Sequence, residues 1–301
     1  MIVTVIRAEE SVWFPVSYAG SRMALGRLNP EELKAQRGDT GRTLAEHMRD
    51  QNFDPDAIWG LKPPRKECFI EVHIEQGPVL SAAGDPFALV TGIRGSLRYR
   101  TAQIHGVWAH SGAAPRIARA DSVFAFADLV IALDRDWSDT LVHGDDLTVT
   151  FGIVNAASPI HAMAKVPGEL SFCLDLRSDE KDILERTNAK LAKRIAEIES
   201  QRPGIRFALG PQSRSTPVQL SAVLLEGLRQ AALDLHRRPP EMLSGGGHDA
   251  AAFAAAGWDA SMLFVRNEHG SHNPDETMDL QDLAEAVAVL AHWLDYKQDG
   301  N

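Results

Sequence analysis

The sequence predicts an α/β fold interrupted by a smaller α+β domain. Three observations predict it. Strand patterns at residues 2–6, 69–74 and 261–265 stand among helical patterns, the texture of an α/β sheet. From about Gly92 the pattern changes to strands that keep one polar face. After about residue 210 the first texture returns. The chain therefore divides as 1–91, 92–210 and 211–301, one α/β domain in two pieces around an insert.

Taken in order, Ile2-Val3-Thr4-Val5-Ile6 is a β-branched run, predicting a strand buried on both faces of a parallel sheet. Such a strand normally follows a helix, and here the chain opens with it. Phe69 to Ile74 predicts a second strand, with Ile70, Val72 and Ile74 on one face and Phe69, Glu71 and His73 on the other. Gln76-Gly77-Pro78 ends it, leaving His73, Glu75 and Gln76 at the carboxyl edge, where open α/β sheets bind ligands. In the insert, Leu97 to His105 predicts a strand and Asp121 to Asp134 a helix. Leu147, Val149, Phe151 and Ile153 alternate as a half-buried strand. Leu170, Phe172, Leu174 and Leu176 do the same, opposite Ser171, Cys173, Asp175 and Arg177. Leu184, Leu191, Ile195 and Ile198 then form a helical stripe.

In the last third Ser221 caps a helix carrying Leu224, Leu228, Ala231 and Leu235. Ser244-Gly245-Gly246-Gly247 is a tight loop before an alanine-rich helix that Gly257 ends. Asp279 caps a final helix with Leu283, Val287, Leu290 and Leu294 at helical spacing.

Composition narrows the function classes. The 301 residues suit about two domains, and a net charge of -10 argues against general nucleic-acid or anionic-membrane partners. The two cysteines, Cys68 and Cys173, lie far apart in no metal-type spacing, which is cytosolic usage. No stretch approaches the roughly 18 apolar residues of a membrane span. A cytoplasmic protein is expected.

Several short stretches could carry chemistry. Glu9 and Glu10 are adjacent carboxylates, fit either to bind a cation and act as a general base or to sit solvated in a loop. His73 is a metal-ligand candidate or a structural strand-end histidine. His110 lies in the small-residue turn Ala109-His110-Ser111-Gly112, where a surface loop histidine is the plainer reading. Ser271-His272-Asn273-Pro274 forces a turn, and spacing alone does not choose between His272 and its neighbour His269.

Together these stretches resemble one family, in order, over nearly the whole chain. Glu9-Glu10 with Phe14 and Gly20-Ser21-Arg22 opens the series. Glu71-Val72-His73-Ile74-Glu75-Gln76-Gly77-Pro78 is its most specific member. Val90-Thr91-Gly92-Ile93, Ala109-His110-Ser111-Gly112, Val166-Pro167-Gly168-Glu169 and Leu174-Asp175-Leu176-Arg177 follow. Ser244 to Ala250 and Ser271-His272-Asn273-Pro274 complete it. The chain is thereby similar to the hydantoinase/carbamoylase family of amidases, of the N-carbamoyl-L-amino acid hydrolase and allantoate amidohydrolase type.

That resemblance implies a metallohydrolase-type mixed sheet with helices on both faces, and an inserted domain that makes a homodimer. It implies cleavage of a non-peptide C–N bond in an N-carbamoyl-L-amino acid or related ureido acid by metal-activated water. The divalent metal is zinc or manganese. Carried over by motif, Glu10, His73 and His272 would be metal ligands, Glu9 the general base, and His110 the group that stabilises the oxyanion. Gln76, Arg177 and His248 would hold the small-molecule substrate, with an Arg177–Asp175 ion pair as the plainer alternative for Arg177.

The departures are specific. The family's first histidine and bridging aspartate precede the opening strand and are expected to be missing here, as from an N-terminally truncated catalytic domain. Ala8, Ser11, Trp13 and Ala164 replace residues usual in the family, with His161 or Lys165 available near the last. The alternative expectation is therefore a catalytically impaired, dimeric binding protein or remnant.

Overall fold

A computed structural model describes residues 1–11, 13–60 and 67–299. The chain separates into two compact units, one of Met1–Ile93 with Val218–Asn301 and one of Arg94–Pro217. Unit 1 begins with the helices α1 (Ala19–Ala24) and α2 (Leu44–Asp50), then β1 (Cys68–Ile74), α3 (Val79–Ala83) and β2 (Phe87–Ile93). Unit 2 follows with β3 (Gly95–His105), β4 (Ala109–His110), α4 (Ser122–Val142), β5 (Thr148–Thr150), β6 (Val154–Asn155) and β7 (Lys165–Val166). It closes with β8 (Glu169–Ser178), α5 (Lys181–Gln201), β9 (Arg206–Ala208) and β10 (Gln212–Ser215). Unit 1 resumes with β11 (Val218–Gln219), α6 (Ala222–Asp234), β12 (Glu241–Ser244), α7 (Asp249–Ala255), β13 (Asp259–Val265) and α8 (Leu280–Asp299).

The unit 1 sheet is mixed, in the order β1-β13-β2-β11 with β12 on the other edge of β2. β13 runs parallel to β1 and antiparallel to β2. Its residues from Ala260 to Val265 are all buried, which is why Met262 to Val265 reads as an apolar run. One face packs Phe87, Leu89, Leu263 and Val265 against Leu224 and Leu228 of α6 and Val289 and Trp293 of α8. The other packs Ala88, Val90 and Phe264 with Leu80 of α3 and Ala250 of α7. Helices thus cover both faces of an α/β sheet. Each fully buried large side chain among these contributes about 1.5–3 kcal/mol.

Unit 2 is a six-stranded antiparallel sheet, β10-β3-β8-β5 with β6 and β9 on the flanks. Leu97, Ile104 and the alternating Leu170, Phe172, Leu174 and Leu176 face Leu129 and Leu133 of α4 and Leu184 and Leu191 of α5. β10 pairs with β3, so this unit runs on to Pro217 instead of ending near residue 210. Asp121 caps α4 by accepting from Val123 and Phe124 N–H at 3.0 and 3.3 Å.

Two strand expectations are corrected. Residues 2–6 form no strand, and Ile2, Val3 and Val5 are exposed. β-branching favours an extended chain, but a strand exists only where a neighbour supplies the ladder, and none of the sheet pairings reaches this segment. Only Ile6 is partly buried, against the small cluster of Leu25, Phe253 and Ala256. The alternating run from Leu147 to Ile153 is a strand only at Thr148–Thr150 before the chain turns to β6. Ile153 is exposed there. Among the described residues no helix is long and apolar enough to cross a membrane.

Candidate active site

The site is built at the carboxyl end of β1. Alternation puts Ile70 and Val72 into the core shared with α6 and α8 and sends Glu71 and His73 to the opposite face. Beyond the strand, Gln76 takes a left-handed φ of 62° and donates its backbone N–H to Asn267 Oδ1 at 2.9 Å. Glu75 turns away from the cleft's chemistry. Its carboxylate accepts from Val79 and Leu80 N–H, both at 2.8 Å, and so holds the start of α3.

Glu9 and Glu10 follow Ala8, itself at φ 57°. The carbonyls of Ala8 and Glu9 accept from Ala19 and Tyr18 N–H at 2.9 Å, pinning the pair against α1. This explains the Gly20-Ser21-Arg22 step. A Cβ at Gly20 would collide with the Arg7 carbonyl, Ser21 is fully buried and donates its hydroxyl to the Tyr18 carbonyl at 3.2 Å, and Arg22 grips Glu32 with two bonds of 2.7 and 2.6 Å.

His272 comes from the turn after β13, with φ 62°. Its Nε2 lies 2.9 Å from Glu10 Oε1 and 3.4 Å from Gln76 Nε2. Glu9, Glu10, His73, Gln76 and His272 line one cleft of about 530 Å³, together with Ser271, Asn273 and Glu276. His269 is exposed and does not line it. Ala8, Gln76 and His272 each hold a backbone that costs a non-glycine residue of order 1–3 kcal/mol, and such strain gathers at functional sites.

Beneath the cleft lies a second layer. His248 is 1 % exposed and stands edge-on to the His73 ring, with centroids 4.6 Å apart. Glu71 accepts the Ala250 N–H at 2.7 Å. Glu71, His73 and His248 each bring one ligand atom within 4.8 Å of the others, and no other such group of three occurs among the described residues. Glu10, His73 and His272 therefore share a cleft without converging as a triad. His272 is turned to Glu10, and His73 sits against His248. His248, expected at the substrate, is instead buried with Nε2 2.8 Å from Ser244 Oγ and is not a cleft-lining residue.

Burial dominates the electrostatics. It pushes the Glu9 carboxyl up to about 8, helped by the negative charges of Glu10, Asp249 and Glu71. Glu71 rises to about 7, again through burial, with Asp249 adding to it. Asp249 is raised by burial against the opposing effects of Ser21 and His73. His248 falls to about 3 because burial and its neighbour His73 both disfavour the imidazolium. At neutral pH this pocket keeps His248 neutral and concentrates acids that resist ionising.

The other two expected residues belong to unit 2. His110 is exposed on β4, where its Nδ1 accepts from Gly112 and Ala113 N–H at 3.1 and 3.2 Å. Arg177 is paired with Asp175 at 2.9 Å, and the same carboxylate takes Arg98 at 3.1 Å. Lys165 is tied to the Ile160 carbonyl at 2.7 Å and His161 packs edge-on to Trp108. Sequence reasoning assigned no role to Glu71 and Asn267. For Glu71 the signal was present, since strand alternation already placed it on the His73 face. Asn267 carried none, because its role depends on a turn formed 191 residues away in sequence.

The cleft brings paired carboxylates and imidazoles to one sheet edge, and the chain belongs to the M20/M25/M40 peptidase family, whose model matches residues 6–296. Its relatives lie in the amidase branch. It is 31% identical over 290 residues to an N-carbamoyl-L-amino acid amidohydrolase of Geobacillus stearothermophilus, covering 94% of this chain and 68% of that protein. It is 31% identical to an allantoate amidohydrolase of Escherichia coli, over 96% of this chain and 69% of the relative. Among solved structures, a hydantoinase/carbamoylase family amidase from Burkholderia multivorans superimposes with a TM-score of 0.81 at 25% identity. That match covers 96% of this chain and 68% of the other.

Proposed function

We propose that the protein is a metal-dependent amidohydrolase of ureido acids, such as N-carbamoyl-L-amino acids or allantoate. The observation that carries this reading is the meeting of the Glu9 carboxyl with His73, Gln76, Glu10 and His272 in one cleft. His73 fits a divalent cation, zinc or manganese. Its Nδ1 donates to the Ile74 carbonyl at 2.8 Å, so its Nε2 carries the lone pair. Glu10 and His272, already 2.9 Å apart, are the donors proposed at the outer end. When bound, the cation supplies Lewis acidity, lowering the pKa of water and polarising the scissile carbonyl.

Glu9 is assigned the proton transfers. A carboxyl held near 8 by burial and negative neighbours ionises more readily once positive charge is close, and can then accept a proton from water. It returns that proton to the leaving nitrogen. The Gln76 amide offers both a donor and an acceptor to a ureido group. Arg177 and His110 are proposed for the substrate carboxylate and the oxyanion on the motif match alone. A homodimer made through unit 2 and a cytoplasmic location complete the reading.

The test is hydrolysis of N-carbamoyl-L-amino acids and allantoate by chelator-treated protein resupplied with zinc or manganese. Turnover that needs the metal and falls roughly 10²–10⁴-fold in Glu9→Gln is the expected result. Absence of turnover on every one of these substrates, with either metal, would sink the assignment.

A further inference from the structure

The layer beneath the cleft has a chemistry of its own, and hydrogen bonding fixes it. Ser244 Oγ donates its one proton to the Gly246 carbonyl at 2.9 Å. Toward His248 it can therefore only accept, so His248 Nε2 carries the hydrogen at 2.8 Å. The bare nitrogen of His248 is then Nδ1, which is buried and has no hydrogen-bond partner. His73 is fixed in the opposite sense by the Ile74 carbonyl, leaving Nε2 bare. Glu71 spends one oxygen, Oε2, on the Ala250 N–H. Behind this set Asp249 Oδ1 is likewise buried and unpartnered.

We propose that Glu71, His73 and His248 form a divalent-cation site of the two-histidine, one-carboxylate kind at the inner wall of the cleft, with His248 buried and Glu71 and His73 half-buried, and distinct from Glu10 and His272. A buried lone pair without a partner, such as that on His248 Nδ1, is costly unless something positive meets it. Bonds of about 2.0–2.1 Å to zinc place tetrahedral donors about 3.4 Å apart, so atoms now within 4.8 Å need only side-chain adjustments of about an ångström. Three protein donors leave one position open, the arrangement of a catalytic and not a closed structural zinc. His73 has a single bare nitrogen, so it serves this inner set in preference to the looser outer one. Glu10 and His272 keep each other as partners. The inference refines where the proposed amidohydrolase holds its metal, but cation retention is measured without substrate, so each can fail alone.

The experiment is titration of zinc into the chelator-treated full chain, in competition with a chromophoric chelator. About one tight equivalent is expected. His248→Ala and Glu71→Gln should weaken it at least about 100-fold, while the Glu10→Gln, His272→Ala double variant keeps it within about threefold. Loss in the double variant with retention in His248→Ala overturns the proposal. Because His248 is buried, the wild-type protein supplies a second readout through isotope-labelled histidine. One equivalent of zinc should move the ring nitrogens of His73 and His248 and leave those of His272, identified from His272→Ala, unmoved. Movement confined to His73 and His272 also overturns it. Retained zinc without hydrolysis leaves the site standing and removes only the amidohydrolase reading.

Discussion

Asn267 joins the two turns that shape the cleft. It is 1 % exposed and uses both ends of its amide, accepting the Gln76 N–H at 2.9 Å and donating to the Gly270 carbonyl at 2.8 Å. Both turns contain left-handed backbone, at Gln76 on one side and at His269, Gly270 and His272 on the other. Such conformations persist only where surrounding contacts over-determine them. Asn267→Ala leaves the Gln76 N–H and the Gly270 carbonyl without this part-buried partner, and each lost hydrogen bond is worth about 1 kcal/mol. A loss of about 2 kcal/mol in urea unfolding is expected, with the midpoint shifted and the slope unchanged. Asn267→Asp keeps the acceptor, but its carboxylate faces the Gly270 carbonyl, so it should not restore stability. An alanine variant within about 0.5 kcal/mol of wild type would show that the turns hold themselves.

The elements differ in how far the sequence discloses them, and the difference is physical. β8 and β13 were legible because burial on one face or two writes itself into alternation or an apolar run. α4 and α5 were legible through their stripes, though α4 extends to Val142, beyond the expected Asp134. The opening run was misread because strand propensity does not provide a neighbour. β2 went unnoticed as a strand because Gly92 interrupts its pattern and β3 follows one residue later. In the candidate site, residues carrying recognisable motifs were found. The buried second layer was not, since only the fold reveals that His248 lies under His73. The α1–α2 segment illustrates a hold invisible to periodicity. Its small core of Val16, Leu28, Leu33 and Leu44 is stitched by the Arg22–Glu32 pair, and Glu32 also accepts the Asn29 N–H at 2.8 Å. Burial raises the Glu32 pKa, but the bonds from Arg22 and Asn29 outweigh it and leave the carboxyl below its ordinary value. A depressed carboxylate contributes stability that is present above the unfolded pKa and lost as pH falls through the folded one. Glu32→Gln should therefore cost about 1 kcal/mol at pH 7, and the deficit should shrink as acidification passes from the ordinary carboxyl range down through the lowered folded pKa. A deficit unchanged by pH would assign the effect to packing.

At the scale of the molecule, unit 2 carries exposed apolar side chains that its own core does not use. On α4, Phe124, Ile131 and Val142 are 58%, 51% and 85% exposed. At 100° per residue, spacings of seven and eleven bring the three side chains within about 20° of one line along the helix. The opposite stripe, Ala125, Leu129 and Leu133, is the one that meets the sheet. Arg135 falls on the same line between Ile131 and Val142, so the three are separate apolar points on a mixed face, and they are where the proposed homodimer can be tested. With a net charge of -10, identical chains repel at long range, so the proposed association through unit 2 would have to rest on apolar burial. A second copy offers the same points, and a two-fold axis lays like against like. Sedimentation equilibrium at micromolar concentration should give a dimer that strengthens with added salt, as screening weakens the repulsion. Ile131→Glu places a charge at the middle of this line and should give a monomer without disturbing the buried stripe. Its far-ultraviolet dichroism and melting at the concentration where wild type is also dissociated should therefore match wild type. A wild-type chain that stays monomeric at these concentrations, or an Ile131→Glu dimer as tight as the parent, would remove this helix from the interface.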